Sequence, residues 1–143
     1  MAITQAVANS FKVEILKGLH NFTATTGNAF KLALYDNEAT LSKSTTAFQQ
    51  TDEVGASGTY AEGGGALTSV TPTLSGDAAV CDFSDISFTS ATITARGALI
   101  FNSSDSNKLV VVLDFGGTKT ATNGDFTIQF PAAGASTSLN SPG

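Results

Sequence analysis

Three runs of β-branched and aromatic residues lie between residues 91 and 130, and they constrain the fold more than any other part of the chain. They cover residues 92–101, 109–115 and 126–130, separated by clusters of Asn, Asp, Gly and Ser. Period-two alternation bounded by turn residues predicts paired strands. In the second run, alternation places Val111 and Leu113 on one side and Val110 and Val112 on the other. Apolar residues on both faces predict a central strand covered twice. Arg96-Gly97 predicts a bulge or a close backbone approach, because glycine gives the sheet no side chain. Arg96 is expected to pair with Asp82 or Asp114. Gly116-Gly117-Thr118-Lys119 and Asn123-Gly124-Asp125 are expected to punctuate the route from the second run into the third.

The rest of the chain is read around this core. Val7, Phe11, Ile15 and Leu19 recur every four residues, with Leu16 and Phe22 widening the stripe. That spacing predicts an amphipathic helix over about 4–20, capped by Thr4, with Glu14 and Lys17 on its polar side and Gly18 or Asn21 at its end. Residues 30–35 predict a strand with Phe30, Leu32 and Leu34 on one face and Lys31, Ala33 and Tyr35 on the other. Residues 48–67 are the least regular, and Gly63-Gly64-Gly65 permits bends with positive φ. Residues 67–74 and 78–83 predict two strands around Ser75-Gly76-Asp77, with Pro72 at an edge or bulge and Cys81 an inward filler. The chain of 143 residues reads as one domain: a helix over about 4–20, a β domain over about 28–131 and a flexible tail over 132–143. The expected fold is mainly β, an antiparallel β-sandwich or flattened barrel with one N-terminal amphipathic helix.

Chemistry is sparse. Charged residues make up 13% of the chain and the formal net charge is -5, which argues against nucleic-acid binding through a basic face. Cys81 is alone, so no intrachain disulfide forms. His20 is the one histidine, read as a helix-end or surface residue without partners for a metal site. The carboxylates Asp77, Asp82, Asp85, Asp105, Asp114 and Asp125 mostly sit in or beside turns, where Asp caps the backbone. The glycine triplet lacks the ending of a phosphate loop. No run reaches membrane-spanning length, and no classical signal peptide is expected. The expectation is a non-enzyme without cofactor, metal or catalytic residues. A surface of Thr, Ser, Ala and Gly suits a secreted protein or a member of an assembly.

Three segments carry a resemblance. They are Asn9-Ser10-Phe11-Lys12-Val13-Glu14-Ile15-Leu16-Lys17-Gly18-Leu19-His20-Asn21-Phe22, Ala91-Thr92-Ile93-Thr94-Ala95-Arg96-Gly97-Ala98-Leu99-Ile100-Phe101, and Val112-Leu113-Asp114-Phe115-Gly116-Gly117 followed by Asn123-Gly124-Asp125-Phe126-Thr127-Ile128. Together they resemble small structural proteins of tailed bacteriophages, within which the chain is similar to capsid decoration, or cement, proteins. The resemblance implies a location on the outer capsid surface of the virion. It also implies a β-rich homo-oligomer, commonly a trimer, that binds the major capsid protein and bridges capsomers. The alternative within the particle is a tail, collar or head–tail connector component. A carbohydrate-binding host-recognition module is a third reading, with Tyr35, Tyr60 and Phe48 as its aromatic candidates. Phe11, Ile15 and Leu19 on the helix and Tyr60 in the loop are the candidate assembly contacts, against the alternative that they are core.

Overall fold

The computed structural model describes residues 3–128, without the side chains of Val70, Ser75 and residues 78–82. The expectations for Cys81, Asp82, Phe130 and the tail lie outside the described residues. In chain order the elements are β1 (Ala6–Val7), α1 (Asn9–Leu16), β2 (Phe30–Tyr35), β3 (Gly65–Ala66), β4 (Ser69–Ser75), β5 (Ala78–Phe83), β6 (Ile86–Asn102) and β7 (Lys108–Ile128). One antiparallel sheet takes the order β1-β7-β6-β2-β3, and β4 and β5 form a separate two-stranded ribbon. The protein is therefore mainly β with one short helix near its N-terminus. Among the described residues the second sheet has only those two strands, and irregular segments complete the cover that a sandwich would have given.

The three apolar runs form two strands. β6 is long enough to pair with both later runs, so the glycine-rich stretches become irregularities within β7. Gly97 pairs with Asp114 and Ala95 with Lys119, which loops extra residues out of β7 around Gly116, whose φ is 81°. A smaller bulge falls at Asn123, with φ 48°, between the pairs Ile93–Ala121 and Ala91–Gly124. Glycine and asparagine supply the positive φ that such bulges require. The same residues make turns when the chain must reverse; here β6 continues past them as a template, and no reversal occurs.

The central position of β6 and β7 buries both faces of the sheet. On one face lie Phe30, Leu32, Leu34, Phe88, Ile93 and Ile100. On the other lie Ala33, Tyr35, Leu99, Phe101, Leu109 and Val112. The alternation expected for β2 is the one observed. In β7, Val110 joins Val111 on the first face because a register shift between Ile100 and Phe101 adds a residue at that point. Strict alternation from sequence therefore misplaces Val110. The first face is closed by Phe22, Tyr60 and Phe83, the second by Ile3, Ala39 and Leu41. Phe22 and Phe30 stack with ring centroids 4.5 Å apart, and Phe83 meets both edge-on. Such aromatic pairs contribute about 0.5–1.5 kcal/mol each beyond their buried area.

Two local expectations hold. The β4–β5 register shifts between Val70 and Thr73, around Pro72, which has no amide to give a ladder. Gly97 is a close approach: a Cβ there would sit 2.5 Å from the Leu113 carbonyl oxygen and 2.9 Å from the Ile3 side chain.

Candidate assembly surface

The helix is shorter than its periodicity predicts, and its orientation is different. It begins after Ala8, which is fully buried and gives no side-chain cap; Thr4 instead donates its amide to Leu41 O. It ends at Gly18, with φ 74°, where Gly18 N–H bonds Ile15 O and Leu19 N–H bonds Glu14 O. This pair of bonds closes a helix on a left-handed residue, a conformation glycine adopts without steric cost. Val7 therefore belongs to β1 and Leu19 to the exit turn, and the stripe expected from Val7 to Leu19 is broken at both ends.

Eight residues make a helix that is marginal by itself, so tertiary contacts must hold it. They come through Phe11 and Glu14. The Phe11 ring lies 4.8 Å from the His20 ring and 6.0 Å from Phe22. Glu14, expected on the polar face, turns inward and its Oε1 lies 2.9 Å from His20 Nε2. His20 is buried, not on the surface. Its Nδ1 lies 3.0 Å from Asn102 Nδ2, and Asn102 is itself fully buried at the end of β6. The Asn102 amide is oriented on both sides. Its Oδ1 accepts from Ser104 N–H, and its Nδ2 donates to Asn28 Oδ1, which also accepts from Asn21 N–H. In this arrangement Nδ1 accepts and Nε2 carries the proton given to Glu14. The network ties the helix exit to the sheet.

With Phe11 and Glu14 inward, the apolar residues left over point out. Leu16 is 89% exposed, Val13 55% and Ile15 39%. Lys12 and Lys17, also exposed, flank them. Of the helix contacts expected from sequence, Phe11 packs against the core, Ile15 is 39% exposed and Leu19 is half-buried. Sequence reasoning missed Val13 and Leu16. The signals that could have found them are Gly18, which sets the helix end, and Glu14 one turn beyond Phe11 with the lone histidine downstream.

Tyr60 requires a correction. It is 1% exposed, so its side chain is core and not a surface contact of the isolated chain. Its hydroxyl donates to Glu53 Oε2 at 2.6 Å and accepts from Leu34 N–H at 2.9 Å. Gly63 N–H also donates to Glu53 Oε2, at 2.8 Å. The irregular segment over 48–67 is thereby drawn onto β2 as a cover, with Gly63 and Gly64 at φ 95° and 94° as it bends. Burial, and then the hydrogen bond to Glu53, push the Tyr60 phenol above its ordinary range. Burial and the Glu53 charge do the same to Tyr35, whose hydroxyl donates to Gln49 O.

The aromatic platform is corrected by the same burial, since Tyr35 and Tyr60 are both interior. Phe48 packs on Phe101, with ring centroids 4.9 Å apart, beside a shallow groove of about 440 Å³ lined by Ser42, Thr45 and Gln49. One ring half-committed to the core is not a platform.

Arg96 selects Asp114, with Nε donating to Oδ1 at 3.0 Å. The Gly116 amide, and after it Arg96, hold the Asp114 carboxyl below the usual carboxylate range. This pair braces the β7 bulge. Among the described residues, no three His, Cys, Asp or Glu side chains gather as a metal site would need. Likewise, no helix is long and apolar enough to cross a membrane. No family model, curated protein or solved structure matches the chain.

Proposed function

We propose that this chain is a non-enzymatic structural protein of a tailed-phage particle, decorating the outer shell and stabilising it by bridging shell subunits. The observation that carries the reading is the inverted helix. Leu16 and Val13 stand in solvent and Ile15 is 39% exposed, while Glu14 makes an interior bond. A helix anchored through Phe11 and Glu14 leaves Val13 and Leu16 for a partner, at the cost of exposing them in the free chain. The partner that fits is a shell subunit with an apolar depression and an acidic rim: Val13 and Leu16 fill the depression, and Lys12 and Lys17 meet the rim. The resemblance of residues 9–22, 91–101, 112–117 and 123–128 to virion proteins supports the same reading. A rigid two-faced core with low surface charge suits a part whose work is mechanical.

The test is cosedimentation with shells that lack the chain, using wild type and a Val13→Ser, Leu16→Ser double variant. Both positions are exposed, so the variant is expected to keep its circular dichroism and melting temperature while losing attachment. Full attachment of the folded variant overturns the helix as the contact. Wild type that binds no shell overturns the shell reading, and a ring at the head–tail junction replaces it with the connector reading.

A further inference from the structure

The edges of the sheet are of unequal kind. β1 and β3 are two residues each, whereas β7 beyond Val112 carries no registered strand on its outer side among the described residues. Most of that long edge is interrupted by the bulges at Gly116 and Asn123, which blunt unwanted pairing. Between the bulges one stretch runs regularly: Lys119, Thr120 and Ala121 pair in sequence with Ala95, Thr94 and Ile93.

The direction of the backbone groups there follows from β6. The Thr92 amide donates to Ser57 Oγ at 2.9 Å, on the side of β6 away from β7. Alternation then turns the amides of Ile93 and Ala95 toward β7, so their partners Ala121 and Lys119 face β6. Thr120 is left with its N–H and C=O pointing out of the sheet, and alternation gives Thr118 and Thr122 the same direction.

We propose that this edge pairs with the same edge of a second copy, antiparallel, about a twofold axis through Thr120. The proposal builds on the assembly reading and names the surface by which two copies join. A twofold axis through Thr120 sets Thr against Thr at three of the five positions of Thr118-Lys119-Thr120-Ala121-Thr122, a self-complementary pairing of the kind an isologous interface needs. Thr120 faces Thr120 of the other copy as a pair exchanging both backbone bonds, and Thr118 faces Thr122. Lys119 falls opposite Ala121, which keeps the one charge in the stretch from lying directly opposite its like and leaves the two lysines as diagonal neighbours. The exposed Thr94 and Thr120 hydroxyls, 3.4 Å apart, extend into a threonine face continuous across both copies. Pairing of this kind takes affinity from main-chain bonds and register from the side chains.

Sedimentation velocity of the purified chain over a concentration series tests it, without particles. The expected result is a concentration-dependent dimer that Thr120→Pro abolishes. Proline at this position removes an amide pointing away from β6, so the β6–β7 ladder keeps its bonds. Should Thr120→Pro fail to fold, Thr120→Lys serves, because it brings like charges together at the axis. A wild-type chain that stays monomeric at every concentration overturns the proposal, as does a dimer that survives the folded edge variant. Neither result bears on shell attachment through α1, which is read separately by cosedimentation.

Discussion

Tyr60 illustrates how much one hydroxyl can decide. Replacing it by phenylalanine keeps the ring against Phe88, 4.9 Å away edge-on, and removes both hydrogen bonds of the hydroxyl. Leu34 N–H is then buried without a partner, so Tyr60→Phe is expected to cost about 1–3 kcal/mol in urea unfolding. Tyr60→Ala adds a cavity and is expected to cost about 3–5 kcal/mol. The raised phenols give a pH signature. Folding favours the neutral form of Tyr35 and Tyr60, so their contribution is whole below the ordinary value of 10.0 and lost as pH rises from there toward the folded values. The urea midpoint should therefore fall between about pH 8 and about pH 11, and fall less steeply in Tyr60→Phe. A slope unchanged by the substitution contradicts the assignment. Gly97→Ala should also destabilise, because the added carbon meets the Leu113 carbonyl, a backbone atom that cannot rotate away. None of these partners was readable in sequence. Tyr60 stands among Gly, Ser and Thr, and its hydroxyl partners are Glu53, seven residues away, and Leu34 of β2, 26 residues away.

The elements were legible to different degrees, and the differences have physical causes. The β2 alternation held because the strand is short and regular between β6 and β3. The β7 runs were seen, yet their union was not, since glycine and asparagine mark a bulge and a turn alike until a partner strand is known. The helix keeps Phe11 on the core as its spacing predicts and departs from the stripe at Glu14, Ile15 and Leu16. Periodicity assigns the apolar stripe to the core, but a buried histidine that takes Glu14 as its partner outweighs that preference. His20→Ala is expected to release Glu14 and loosen the turn over 17–28. The check is hydrogen exchange, with faster exchange at Gly18 and Leu19 amides and little change in β6. Uniform protection in the variant shows that the network does not hold α1.

Taken whole, the molecule is a long two-stranded spine with both faces covered near one end, a helix offered outward and a regular strand edge on one side. On the proposed reading, each outward feature docks a macromolecular partner. On that reading the chain belongs to the outer shell of a phage particle and holds it through α1. The most direct measurement is cryo-EM of particles assembled with wild type and with Val13→Ser, Leu16→Ser. The expected result is density for this fold on the outer shell, α1 seated on a shell subunit, and bare shells for the variant. Particles that carry no copy of the chain, or copies bound with α1 facing solvent, contradict it.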